Sequence, residues 1–394
     1  MIRPRDAVIA VAALALSGAG VVAGASAAPM APMSSTPQTG TTGTTGTTGT
    51  TGTTPDTGGP IDLTIEANGD FLVHKSVWEG ASASAGGHGY DFAPMFRKIK
   101  PYVEGADLAL CHVETPMTAG APRGFPVFNT PLSLARAIRS TGWDACSTAS
   151  NHTLDQGQHG VDSTIKVLHR NGIEHAGSAA SAQGSRRIAM LEAKGVKVAF
   201  LAYTQLSNGQ QVPHPWSMKW ASAPAIIADA RRARRQGAQV VVVNVHGGDE
   251  YQHAPNSAQR ALADALVASG AVTAVVGQHV HVVQPIQRVR GVPVVFGEGN
   301  LVSGQGAFAG MPAATGDGYL ALLRIRVAED GAAKLRRVDY VPVYVGHPGP
   351  VVVPVGLALR RGEGPTAEYR ASWQRTVGVV GRGPKHGPWD RPTP

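Results

Sequence analysis

Two histidines one residue apart, His279 and His281, lie in Val272–Gln284 (VTAVVGQHVHVVQ), just beyond an apolar run that breaks at Gly277. Neutral imidazole is the commonest protein metal ligand, and a metal site at the mouth of an α/β sheet needs such groups where a strand ends. The same spacing fits an extended segment whose alternate residues share a face, so the pair alone leaves a polar strand edge open. Other chemically capable groups follow apolar runs in the same way. Asp70 follows Ile61–Ala67, Glu114 follows Asp107–Val113, Asn151 and His152 follow Asp144–Ala149, and His246 follows Val240–Val245. Carboxylate, amide oxygen and imidazole together suit Zn, Mn or Fe better than Ca or Mg. A carboxylate with histidines on both sides suits a pair of ions about 3.5–4 Å apart, which would activate water and stabilise charge on a phosphoryl or carbonyl oxygen. His152 is then the candidate catalytic acid for a leaving group. Glu250, Tyr251 and Asn300 are candidates for contacting substrate. Each residue has a plainer reading as well: Asp70 as a turn residue, Asn151 and His152 as helix caps, Asp155 as part of a turn. His74 and His112 read as ordinary histidines.

These groups need a scaffold that brings strand ends together. Short apolar runs alternate with helical stretches, which predicts largely parallel sheets covered on both faces, with ligands beyond the carboxyl ends of the strands. Helices are expected from Thr130-Pro131 to Gly142, over about 161–170 and 223–235, and from a capping-box pattern at Asn256-Ser257-Ala258-Gln259. Tyr319–Val327 and Leu335–Val343 read as an antiparallel hairpin turning at Glu329-Asp330-Gly331. Residues 346–394 are Pro/Gly-rich and basic and read as a C-terminal extension with one short helix at Thr366–Thr376.

The chain has 394 residues, ample for a large core. Residues 1–27 resemble an export signal: Arg3 and Arg5 precede an apolar run, and Ala25-Ser26-Ala27 fits a cleavage site. Cleavage after Ala27 and a secreted or cell-surface location are expected, with an uncleaved membrane anchor as the runner-up. Residues 28–60, with their Thr-Gly-Thr repeats, read as a flexible linker. Only two cysteines occur, Cys111 and Cys146, which excludes a disulfide scaffold. Both read as small apolar core residues rather than a bonded pair. The net charge of +8 favours anionic partners. No basic block is interleaved with aromatics, so nucleic acid is not an expected partner.

Several blocks occur in an order that resembles the CapA capsule-synthesis family. They are Asn68-Gly69-Asp70, DLALCHVE at 107–114, Phe128-Asn129-Thr130-Pro131, ASNHTLDQG at 149–157, HGGDEY at 246–251, GQHVHVVQP at 277–285 and Gly297-Glu298-Gly299-Asn300. That family is similar to calcineurin-like metallophosphatases. The resemblance implies an α/β/β/α sandwich of two mixed sheets over residues 61–345, and a link to poly-γ-glutamate, an anionic capsular polymer. It implies divalent-metal ligands at Asp70, Glu114, Asn151, His246, His279 and His281, with Glu114 bridging and His152 catalytic. It also implies an anionic polymer or phosphorylated small substrate, and capsule-export machinery as a partner. The chain departs from the phosphatase pattern where Asp-x-His is replaced by Asp70-Phe71-Leu72, where the second carboxylate is Glu, and at Ser150 before Asn151-His152. These departures leave one ion or two. Two functions are compatible with them: metal-dependent hydrolysis or transfer, and non-catalytic binding of an acidic cell-surface polymer. An amidohydrolase barrel fits less well, because its His-x-His belongs on the first strand rather than near the last.

Overall fold

The computed structural model describes residues 59–347 and 349–381; the expected export signal and nearly all of the linker lie outside them. In chain order the strands begin with β1 (Ile61–Leu72), β2 (Leu108–Val113), β3 (Met117–Thr118), β4 (Thr130–Pro131), β5 (Ala145–Ser147) and β6 (Glu174–Ala176). There follow β7 (Ala189–Ala193), β8 (Val196–Thr204), β9 (Val240–His246), β10 (Ala274–Gln278), β11 (Ile286–Val289) and β12 (Val292–Val295). The last four are β13 (Asn300–Ser303), β14 (Asp317–Val327), β15 (Ala333–Gly346) and β16 (Val351–Pro354). One mixed sheet has the order β16-β15-β14-β1-β2-β5-β6, with β13 also on β1, and a second has the order β11-β12-β10-β9-β8-β7.

Period-two alternation decides which layer each side chain joins. On β9, Val240 and Val242 join a core shared with Leu63, Ile65 and Leu110 of the first sheet, so these residues fill the space between the sheets. Val241 and Val243 point the other way, onto Ile226 and Ala230 of the helix Ala223–Arg235 and Leu266 of the helix Ser257–Ala268. On the first sheet, Phe71, Cys111 and Cys146 face outward against Phe96, Ile138 and Trp143. The result is the expected α/β/β/α sandwich of two mixed sheets.

Helix ends follow the local chemistry. Ser222 Oγ accepts from Ala225 N, and Asn256 and Gln259 form a reciprocal capping box. Gly142, with φ of 118°, closes the helix Ser133–Thr141. That helix starts later than expected, because Thr130-Pro131 is spent as β4, paired in parallel with β3. The hairpin β14–β15 forms as expected around Gly331, whose N–H donates to Ala328. Residues 349–381 are integral to the domain rather than appended to it. Strand β16 pairs with β15, and the final helix, Thr366–Val380, sets Val377 and Val380 into the core between the sheets. Cys111 and Cys146 are buried as expected but are joined by a disulfide, which corrects the reading of two free thiols. They are register partners on adjacent parallel strands with Cα atoms 4.4 Å apart, a separation at the short end of what a disulfide spans. No helix among the described residues is long and apolar enough to cross a membrane.

The feature that positions the site is a change of partner along β1. Residues 61–68 pair with β14; at Asp70 the neighbour on that side becomes β13, with Asp70 opposite Asn300. Gly69 lies at the changeover, and a Cβ there would collide with the carbonyl oxygen of Gly299, which also accepts from Asp70 N at 3.0 Å. The obstacle is backbone, so it cannot rotate away. Gly69→Ala is expected to destabilise the protein by roughly 1–3 kcal/mol, as overpacking does, and urea unfolding of the purified domain measures it. An unchanged midpoint would show that the backbones separate at little cost.

Candidate metal centre

The carboxyl ends of β1, β2, β5, β9 and β10 deliver six expected ligands to one place. In the first sheet Asp70 stands at the break in β1, Glu114 directly follows β2, and Asn151 lies in the turn after β5. In the second, His246 is the last residue of β9, and His279 follows β10. All are buried, from 0% exposure at His246 to 4% at His279. Two contacts fasten the sheets across the site. Gln278 Nε2 donates to Asn68 O at 2.9 Å, and His279 N lies 3.3 Å from Asp70 Oδ2.

The His-x-His segment is not an extended strand edge. His279 and His281 have φ of 95° and 57°, in the left-handed region that non-glycine residues rarely enter. Two such residues so close together cost energy that the surroundings must offset, and strain of this kind gathers at functional sites. It turns both rings into the cleft. His281 Nδ1 lies 3.1 Å from Asp70 Oδ2, and its Nε2 lies 3.7 Å from Glu114 Oε1. His246 Nε2 lies 2.9 Å from Asn151 Oδ1 and 3.9 Å from Glu114 Oε1. Glu114 therefore sits between His281 and His246, the place of a bridging carboxylate.

The donor set fits a divalent metal on two observations. Both oxygens of Glu114 and Nδ1 of His279 are buried without a hydrogen-bond partner, an arrangement that is costly unless a cation completes it. Ligand atoms of Glu114, His279 and His281 all lie within 4.8 Å of one another, and so do those of Asp70, His112 and His246. The electrostatics agree. Burial holds His112 down at about 4, His279 at about 3 and His246 well below its ordinary value, so all three imidazoles are neutral and able to ligate. Burial pushes Glu114 up. At His281 burial is outweighed by the Glu114 and Asp70 carboxylates, which raise it to about 9.

His152 stands beside this set rather than in it. Its Nδ1 is 2.8 Å from Asp155 Oδ2, and its ring meets Phe128 edge-on at 4.7 Å. Asp155 also accepts from Phe128 N and from Gln210 Nε2, both at 2.7 Å. Asp155 lies in a turn, as expected, but is buried there and orients His152. With Nδ1 so engaged, Nε2 is the ring nitrogen left to meet a substrate. Of the three expected substrate contacts, Glu250 is exposed and Tyr251 half-buried, with its ring 6.2 Å from that of His281. Asn300 is different: it is fully buried, its Oδ1 lies 3.0 Å from His281 Nδ1, and its Nδ2 donates to Thr315 O and Gln305 Oε1. It holds His281 in place, with its amide engaged by protein groups on both sides. Sequence reasoning also passed over His112, whose only signal was its place two residues before Glu114 on the same strand face.

Beneath the ligands, Glu66 is fully buried and accepts from Asn68 Nδ2 at 3.1 Å and Trp143 Nε1 at 3.0 Å. Burial raises it to about 8 from an ordinary 4.5, so it is protonated in the folded protein where the unfolded chain ionises. Its contribution to stability is full below about 4.5 and is lost as pH rises through about 8. Glu66→Gln should therefore lose less stability between pH 5 and pH 8 than the parent, by on the order of a few kcal/mol. Denaturant titrations of chelator-treated protein at both pH values test this, and parallel losses in the two proteins would assign the titration to another group.

Residues 64–305 match the family described as bacterial capsule synthesis protein PGA_cap. The chain is 28% identical over 303 residues to the capsule biosynthesis protein CapA of Bacillus anthracis, covering 73% of this chain and 69% of that one. It is 26% identical over 220 residues to the PGA biosynthesis protein CapA of Bacillus subtilis, covering 54% of this chain and 57% of that one. Among solved structures it is similar to the calcineurin-like phosphoesterase YfkN of Bacillus subtilis, at 15% identity and a TM-score of 0.49, over 81% of this chain and 97% of that one. With its motif blocks, its two-sheet sandwich and more than half of its length matched, the chain belongs to the bacterial capsule synthesis protein family PGA_cap.

Proposed function

We propose that this protein is an exported, metal-dependent hydrolase or transferase that acts on an anionic substrate at the cell surface, either a phosphoester or a γ-linked glutamate amide. The observation that carries the reading is the buried Glu114 carboxylate, with neither oxygen hydrogen-bonded and three imidazoles around it. Asp70, Glu114, Asn151, His246, His279 and His281 would hold Zn, Mn or Fe. A bound ion of this kind supplies Lewis acidity to a phosphoryl or carbonyl oxygen and lowers the pKa of water. The protein's own residues do the rest. Asp155 fixes the His152 ring so that Nε2 can deliver a proton to the leaving group, and Phe128 packs against that ring. Tyr251 and Glu250 stand at the rim, where a substrate enters.

A second reading, binding of an acidic polymer without catalysis, is favoured by a separate surface. Arg288, Arg290, Lys334, Arg336 and Arg337 line an open cleft of about 650 Å³ with no acidic residue in its wall. Arg290 pairs with Asp264 and Arg337 with Asp339, which leaves part of that charge already neutralised.

His152→Ala should retain the metal of the parent protein and lose about 10²–10⁴-fold in kcat on a chromogenic phosphodiester or γ-glutamyl amide. Glu114→Ala should lose metal and activity together, as read by elemental analysis and turnover. Full activity and metal content in folded Asn151→Ala and His246→Ala proteins would end the catalytic reading. Binding of polyglutamate that survives chelation, weakens with salt and is lost in Lys334→Glu/Arg336→Glu would favour the second.

A further inference from the structure

We propose that His112 is a ligand of the metal centre and supplies the imidazole that the sequence after Asp70 lacks. The inference rests on the metal-centre reading above and adds one residue to it. Strands β1 and β2 are parallel, and Asp70 is the register partner of His112, so the two side chains leave the same face of the sheet side by side. Glu114 lies two residues beyond His112 and returns to that face. Strand β2 thus presents His112-x-Glu114 opposite His279-x-His281 from the second sheet.

The distances suit an ion better than a hydrogen-bonded core. His112 is fully buried, and its Nε2 lies 3.6 Å from Asp70 Oδ1, too long for a hydrogen bond. Two donors that each sit about 2.0–2.2 Å from one metal are about this far apart. Nε2 is also 3.0 Å from His246 Nδ1. The plain alternative is a neutral histidine bonded only to His246. It would leave the Asp70 carboxylate, 1% exposed, facing a ring that does not reach it. With His112 as a ligand, the donors divide into two sets, Asp70, His112 and His246 on one side and Glu114, His279 and His281 on the other. The loss of Asp-x-His at 70–72 is then compensated from the neighbouring strand, and the centre holds two ions.

The test uses the full chain loaded with Mn²⁺. Anomalous diffraction from crystals of the parent protein should show a peak within bonding distance of His112 Nε2, about 2–2.3 Å. In solution, His112→Gln, which keeps an amide able to hydrogen-bond His246, should hold one ion fewer per chain or bind one ion at least about tenfold more weakly. Elemental analysis and calorimetric titration read both, with circular dichroism as the check on folding. A variant that fails to fold leaves the diffraction measurement decisive. Peaks beside Glu114 and His279 with none at His112, or full metal content in a folded His112→Gln, would overturn this assignment and leave the proposed function standing. No metal in the parent protein would overturn both.

Discussion

A carboxylate buried with neither oxygen hydrogen-bonded is among the least favourable arrangements a core can contain. Glu114 is in that position, and the structure around it is organised to make it tolerable. Three strands from one sheet and two from the other end around it, together bringing imidazoles, an amide and carboxylates to the same cleft. Burial alone would neutralise Glu114 by protonation. A divalent cation would offset the same cost with the carboxylate left ionised. An ion bound there would therefore also stabilise the cleft.

Backbone geometry carries a second part of that organisation. Side chains can converge only if neighbouring backbones within each sheet approach more closely near the site than a side chain would allow. Gly69 against the Gly299 carbonyl and Gly277 against the Phe296 carbonyl provide such approaches. The left-handed conformations of His279 and His281 provide the remaining turn, fixed by Asn300 behind His281 and by the Asp70 carboxylate beneath the His279 amide. The strain lies where the chemistry is, supported by residues that never face solvent.

The two surfaces of interest lie at opposite ends of the second sheet. The metal centre follows the carboxyl end of β10, whereas the arginine-lined cleft includes Val272, Thr273 and Val292 at the opposite ends of β10 and β12. A long anionic chain bound at the basic end would reach the metal centre only by running the length of the sandwich. Retention of a polymer and chemistry on it would thus be separable tasks in this fold.

The sequence by itself determined the scaffold and most of the residues that gather at the strand ends. Period-two apolar runs, capping residues and glycines act locally, so β9, the capping box at Asn256 and the helix Ala223–Arg235 were legible from neighbouring residues alone. The six expected ligands could be named because they follow five apolar runs, His279 and His281 sharing one. Tertiary structure decided what depends on which strands lie side by side. Register across β1 and β2 sets His112 beside Asp70, and register across β2 and β5 joins Cys111 to Cys146; neither pairing leaves a trace in local spacing. Orientation was equally out of reach. Asn300 turns inward to His281 instead of toward a substrate, and Asp155 turns inward to His152, because hydrogen bonding in a buried cleft, rather than residue type, selects the face each presents. Residues beyond 346 carry few apolar runs, yet β16 and the last helix complete the first sheet and its core, since an edge already laid down by β15 needs only a short partner to close it.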